Sequence, residues 1–242
     1  MKIFSISDIH ISPKKENNYN LFLKFLNRCL IEKDLTHLIL IGDIFEYMVG
    51  NYTEYINHYK NIFTLMDQIL ERKIEIIFIE GNHDFFLSEL LEDYFNKRII
   101  YCKNYYSVTV KYKKLLYVHG DNFDYTDWKY TIFKSMIRSN CFKLSVNNFL
   151  NFKQVSWLGN KLSKNSRKII TDKEYLLFIK EKYKKLIIEF NIDKYFDVII
   201  FGHTHIVEQY EDDNIKIYNN GYVPDSKNFI SYSDNIVQHE KI

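Results

Sequence analysis

The chain predicts an α/β protein with a largely parallel sheet and a helical insertion. Three observations carry this. Strand-like and helix-like segments alternate three times in the first hundred residues, which calls for parallel strands joined by right-handed crossovers. Leu38 to Ile41 is a continuous apolar run, the pattern of a strand buried on both faces, and Ile74 to Ile79 reads as another buried strand. Between Asp121 and Asp197 runs a long stretch with helical periodicity and no strand pattern.

Taken in order, Lys2 to Ser7 alternates and stops at Asp8, which reads as a first strand. Tyr19 to Lys33 places Leu21, Phe22, Phe25, Leu26, Cys29 and Leu30 at three- and four-residue spacing, an amphipathic helix. Tyr52 to Arg72 and Phe86 to Asn96 read as helices between the two buried strands and the middle of the chain. Ser107 to Tyr112 and Leu115 to Val118 read as neighbouring strands around Lys113-Lys114. Val198 to Phe201 is a strand, and Ile206 to Tyr210 with Ile215 to Tyr218 form a hairpin around Asp212-Asp213-Asn214. No repeat, low-complexity segment or flexible linker interrupts the pattern. Residues 1–242 are therefore expected to form one domain, with the helical insertion at about 122–196.

At 242 residues the chain is long enough to bury a sizeable core, and 46% apolar residues is ordinary. Tyr (20) and Phe (19) abound beside Ile, Asn and Lys, while Gly (7) and Pro (2) are scarce. All five abundant types have A/T-rich codons, so the aromatics read as base composition and not as stacking platforms. The net charge of +2 hides an asymmetry: Trp128 to Thr171 holds nine Lys/Arg and no acid, leaving 24 basic against 31 acidic residues elsewhere. That pattern points to a local anionic partner. Three cysteines without a CxxC pair fit a reducing compartment. Met1 leads directly into strand residues, and no uncharged run approaches 18 residues, so neither a signal peptide nor a membrane span is expected.

Five short motifs follow apolar runs: Asp8-x-His10, Gly42-Asp43, Gly81-Asn82-His83-Asp84, His119-Gly120-Asp121 and Gly202-His203-Thr204-His205. One such motif alone would be a strand-end turn, where Asp, Asn and Gly are common. Five together describe a pocket at the carboxyl ends of strands, where α/β sheets bind ligands. Asp8 with His10, and His203 with His205, are two apart, so on a strand each pair would face one way. Gly42 lets the backbone turn close to the pocket. Mixed carboxylate, imidazole and amide donors suit Mn2+, Fe2+ or Zn2+ better than Ca2+ or a structural zinc. Seven ligands suit two ions sharing a carboxylate, a pair that can clamp a phosphate and activate a water for in-line attack. Five of the eight histidines lie in these motifs; His37, His58 and His239 read as surface or packing residues.

This set resembles the calcineurin-like metallophosphoesterase superfamily, whose pattern is D-x-H, GD, GNH(D/E), H and GHxH. The resemblance implies a β-sandwich flanked by helices. It implies Asp8, His10, Asp43 and His205 on one metal, and Asp43, Asn82, His119 and His203 on the other. His83 would then be catalytic, protonating or stabilising the leaving group, with Asp84 the candidate carboxylate to hold it. A closer resemblance is to the UDP-2,3-diacylglucosamine diphosphatase family of lipid A biosynthesis. Gly42-Asp43-Ile44-Phe45-Glu46 is close to that family's GDLFE, Asp127 and Tyr130 follow His119-Gly120-Asp121 at its spacing, and a helical insertion precedes the last motif. The chain departs from the best-known branch in keeping His83 where GNRD has Arg.

That resemblance implies a nucleotide-linked lipid as the phosphate-ester substrate, a cytoplasmic enzyme and a peripheral position on the inner membrane surface. Ser163, Lys164, Arg167 and Lys168 would contact the sugar nucleotide beside Asp127 and Tyr130. The insertion is both basic and apolar, with Phe133, Met136, Phe149 and Trp157 among Lys134, Arg138 and Lys143. This suits a cap over acyl chains or a helix on an anionic membrane. A plain lid with solvated lysines is the bland reading. Nucleic acid is the weaker partner, since a basic strip attracts any polyphosphate but no binding motif accompanies it. A soluble nucleotide as substrate, or a non-catalytic scaffold on the same fold, are the remaining readings; complete ligand motifs argue against the scaffold.

Overall fold

The computed structural model describes residues 1–121, 128–163, 177–178, 181–182, 185–186, 189–211 and 214–242; of 128–131, 133, 158 and 160–163 it describes the backbone alone. The strands are β1 (Lys2–Ile6), β2 (Leu35–Ile41), β3 (Met48–Val49), β4 (Glu75–Ile79), β5 (Asp84–Phe85), β6 (Ile99–Cys102), β7 (Tyr105–Val110), β8 (Lys113–Val118), β9 (Val198–Phe201), β10 (Val207–Glu211), β11 (Lys216–Asn220), β12 (Asn228–Ser233) and β13 (Ile236–Lys241). The helices are α1 (Glu16–Ile31), α2 (Glu54–His58), α3 (Lys60–Glu71), α4 (Ser88–Tyr94), α5 (Trp128–Ile137), α6 (Asn140–Asn148) and α7 (Phe152–Ser163).

Two sheets form a sandwich. The first has the order β13-β12-β1-β2-β4-β6 and the second β10-β11-β9-β8-β7. β1, β2, β4 and β6 pair in parallel, as the early alternation predicts. In the second sheet β8, β9 and β11 are parallel, flanked by antiparallel β7 and β10. The two-residue strand period explains the continuous apolar runs. On β2 and β4, Ile39, Ile41, Ile77 and Ile79 face Leu115, Tyr117, Val198 and Ile200 of the second sheet. Their neighbours Leu38, Leu40, Ile76 and Phe78 point the other way, into Phe22, Phe25, Phe63 and Met66 of α1 and α3. Each such side chain contributes roughly 1.5–3 kcal/mol on burial. The outer face of the second sheet is covered in turn by Leu186, Ile192 and Phe196.

Three features differ from the sequence expectation. The segment read as one helix from Tyr52 to Arg72 is two, broken at Tyr59 (φ −117°, ψ 27°). The strands β12 and β13 complete the first sheet from the carboxyl-terminal segment, which carried no strand expectation. The short pair β3 and β5 is built partly from motif residues. Among the described residues no helix is long and apolar enough to cross a membrane.

Candidate metal centre

The five motifs follow directly on β1, β2, β4, β8 and β9. The strand rule for Asp8/His10 and His203/His205 does not describe what aims them. All four lie beyond the strand ends, and Asp8, His10, Asp43, His203 and His205 have left-handed backbones (φ 52°, 50°, 53°, 69° and 61°). Each non-glycine residue held there costs about 1–3 kcal/mol, strain that clusters at functional sites. The surrounding hydrogen bonds hold it: Ile9 and His10 N–H donate to the Asp43 carbonyl (3.1 Å each), and Ile11 N–H to Ile44 (2.9 Å). Asn18 on α1 donates to the Ile9 and His10 carbonyls (2.8 and 3.2 Å). Gly42 turns with φ 71°, and a Cβ on it would lie 2.5 Å from the Gly81 Cα. A Cβ on Gly81 would lie 2.2 Å from Asp43 Oδ1, so glycine is what lets these loops meet at that carboxylate.

Distances arrange the seven expected ligands on two sides of Asp43. On one side, His10 Nε2 is 3.7 Å from Asp43 Oδ2 and 3.2 Å from His205 Nε2, which is 3.4 Å from Asp8 Oδ1. On the other, His119 Nε2 is 3.5 Å from Asp43 Oδ1, and Asn82 Oδ1 is 3.1 Å from both His119 Nε2 and His203 Nδ1. His119 donates through Nδ1 to the Ile41 carbonyl (2.9 Å), which fixes Nε2 as the inward nitrogen. So many acceptors converge stably only around protons or cations. Asp8, His10 and His205 offer donor atoms within 4.8 Å of one another, as do Asp8, Asp43 and His119. The residues therefore fit divalent cations. His10, Glu46 and His83 also cluster, but the Glu46 carboxylate is engaged by Lys15 at 2.5 Å.

The electrostatics agree with a ligand role. Burial, then His83, holds His10 near 3; burial, then His119, holds His203 at about 4. Both rings are neutral and offer a lone pair. Burial opposes ionisation of Asp43, yet His119 and His83 keep its carboxyl well below the usual range. Burial likewise opposes charge on His119, but Asp43 outweighs it and raises the ring to about 10, a proton a metal would displace.

His83 lies at the edge of this cluster. Its N–H donates to Asp43 Oδ1 (2.9 Å), its Nδ1 donates to the Glu46 carbonyl (2.8 Å), and its Nε2 stands 4.0 Å from Asp43 Oδ2. The carboxylate expected to hold it, Asp84, is used elsewhere. Asp84 accepts the N–H groups of Asp43 (2.9 Å), Gly81 (3.0 Å), Ile44 (2.7 Å) and Phe45 (3.1 Å), so it shapes the second-motif loop while a backbone carbonyl orients His83.

Supporting residues escaped the motif reading. Ser7 Oγ donates to Asp8 Oδ2, and Asn220 clasps Ser7 through its N–H (3.1 Å) and its carbonyl (3.3 Å). Asn219 donates to the Gly202 carbonyl (3.0 Å) and Thr204 Oγ1 (2.8 Å). Tyr222 stacks on His205 with ring centroids 5.1 Å apart. The signal was two adjacent Asn at the end of an apolar strand, an unsatisfiable burial unless they hold something.

Of the expected substrate residues, Asp127, Lys164, Arg167 and Lys168 lie outside the described residues, as do the side chains of Tyr130 and Ser163. The insertion's basic character is partly resolved by pairing. Lys134 meets Asp121 Oδ2 (2.7 Å), Arg138 meets Glu80 Oε2 (2.9 Å), and Lys143 meets Glu89 Oε1 (2.9 Å). Val146 and Val155 of the insertion pack on Val49, Phe85 and Phe86. Ile132, Met136, Leu144, Phe149 and Trp157 remain exposed.

A model of the calcineurin-like phosphoesterase family matches residues 1–207. The chain belongs to this family and is a metal-dependent hydrolase of phosphorus–oxygen bonds. It is 23% identical over 213 residues to the UDP-2,3-diacylglucosamine hydrolase of Psychromonas ingrahamii, covering 87% of this chain and 83% of that one. It is 31% identical over 139 residues to the protein of the same name from Blochmanniella pennsylvanica, covering 57% and 54%. A solved structure described as a novel archaeal phosphodiesterase covers 100% of both chains at 17% identity and a TM-score of 0.49.

Proposed function

We propose that the chain hydrolyses the pyrophosphate bond of UDP-2,3-diacylglucosamine, releasing UMP and a lipid monophosphate. The observation that carries the substrate choice is that relatives named for it align over most of both chains, insertion included. In this reading Asp8, His10, Asp43 and His205 hold one divalent ion, and Asp43, Asn82, His119 and His203 a second, with Mn2+ preferred over Fe2+ or Zn2+. Such a pair supplies Lewis-acid charge at the phosphate and an activated water. Water oxygen adds to one phosphorus and gives up a proton to solvent, the bridging P–O bond breaks with its electron pair leaving on the departing phosphate oxygen, and that oxygen is stabilised or protonated from His83 Nε2. The Glu46 carbonyl occupies Nδ1, which leaves Nε2 as the nitrogen for that role. Asp43 balances charge on both sides.

The insertion is the cap of a single catalytic domain. Its exposed Met136, Phe149 and Trp157 suit acyl chains and the inner membrane surface. Asp127, Tyr130, Ser163, Lys164, Arg167 and Lys168 are the proposed contacts to the sugar nucleotide. Pairing of Lys134, Arg138 and Lys143 with acids leaves less free charge for a nucleic acid. The test compares, with added Mn2+, hydrolysis of UDP-diacylglucosamine, its deacylated form and bis(4-nitrophenyl) phosphate. Preference for the acylated substrate is expected. Equal or faster turnover of the generic diester would sink the lipid reading.

A further inference from the structure

Arg138 follows the last residue of α5, immediately before Ser139 caps α6 by accepting from Phe142 N–H. It stands at the joint between two helices of the insertion, yet its guanidinium reaches the ligand loops. One nitrogen donates to the Gly81 carbonyl (2.7 Å), and another to Glu80 Oε2 (2.9 Å). The first also lies 3.5 Å from Asp121 Oδ2, and the group sits 5.3 Å above the Phe85 ring. Glu80 and Asp121 are both buried. The Gly81 carbonyl belongs to the peptide that joins Gly81 to Asn82, so the plane Arg138 grips is the one from which Asn82 and His83 depart. Asp121 is two residues beyond His119. A single planar fork thus spans the third and fourth motifs from the cap, a geometry an ammonium does not reproduce.

We propose that Arg138 is a positioning residue that makes the insertion and the ligand loops one unit, setting Asn82 and His83 from the root of the cap. This rests on the reading of Asn82 and His83 as working groups. The test uses R138K, which keeps the charge and loses the fork, and the double variant Arg138→Met with Glu80→Gln, which removes the buried charge pair together. Measured for each are the melting temperature, Mn2+ affinity by titration, and kcat and KM on UDP-diacylglucosamine. R138K should lower kcat about 10- to 100-fold with KM changed by no more than roughly twofold. Its Mn2+ affinity should fall about tenfold, because Asn82 shifts. The double variant should recover the wild-type melting temperature but not kcat. Wild-type kcat and Mn2+ affinity in R138K, or recovery of both melting temperature and kcat in the double variant, would overturn the positioning role. Asn82→Ala separates the premises: if it is inactive while R138K is fully active, the positioning role alone fails. If Asn82→Ala keeps full hydrolysis, the site reading fails and takes the positioning role with it.

Discussion

Replacing Asp84 by Asn should destabilise the chain through one loop, with a calculable size. Oδ1 accepts from Asp43 and Gly81, and Oδ2 from Ile44 and Phe45, at 2.7–3.1 Å. Asn keeps one acceptor oxygen and turns an NH2 group on the other two donors. Asp84 is 0% exposed, so water does not take over. Two stranded N–H groups at about 1–3 kcal/mol each give a loss of at least about 2 kcal/mol. In a chain of this size 1 kcal/mol moves the melting temperature by roughly 2–4 °C, so a fall of about 4 °C or more is expected. Mn2+ affinity should drop too, since the same N–H groups place Asp43. Thermal unfolding by circular dichroism at neutral pH, with and without Mn2+, reads both. Burial and the Asp43 charge push Asp84 up to about 8, against the pull of the Phe45 and Asp43 N–H groups and of His119. Both oxygens are already filled by N–H donors, an arrangement that suits the carboxylate and not the amide; an unchanged melting temperature and Mn2+ affinity in Asp84→Asn would refute the cradle.

Three other outcomes are expected. His83→Ala should lower kcat about 10²- to 10⁴-fold while leaving bound Mn2+ unchanged, read by steady-state kinetics and elemental analysis; loss of metal would make His83 a ligand instead. Phe149→Ser and Trp157→Ser should each raise KM for the acylated substrate about tenfold without touching the generic diester, because both side chains are exposed at 82% and 64%; equal effects on both substrates would count against acyl contact. A thiol reagent should label exposed Cys141 in the native protein and Cys29 only after unfolding, since Cys29 is fully buried and burial pushes its thiol up.

The parallel half of the first sheet was legible because β2 and β4 are buried on both faces, and β9 for the same reason. β13 was not: Ile236 and Val237 are followed by Gln238, His239, Glu240 and Lys241, an exposed edge whose pairing with β12 is decided by tertiary contact. The break at Tyr59 was invisible because apolar spacing runs through it, and Tyr59 itself is buried. At the site, the gathering of the five motifs was readable but the aim of their side chains was not. The spacing of Asp8 and His10 suggested a shared strand face, whereas left-handed backbones place them. Asp84 was read as a partner of the neighbouring His83, yet its four donors come mostly from a loop some forty residues earlier in sequence. Charge composition did not show which cations are paired. Three cations of the acid-free stretch pair with acids outside it, which composition alone does not reveal.

A pair of ions sharing Asp43 is read out by Mn2+ titration followed by electron paramagnetic resonance. The wild-type chain should bind two Mn2+ per chain with an exchange-coupled spectrum, and Asp43→Ala should lose the coupling and the hydrolysis together. A single uncoupled Mn2+ in the wild type, or full metal-dependent hydrolysis by a folded Asp43→Ala, would contradict it.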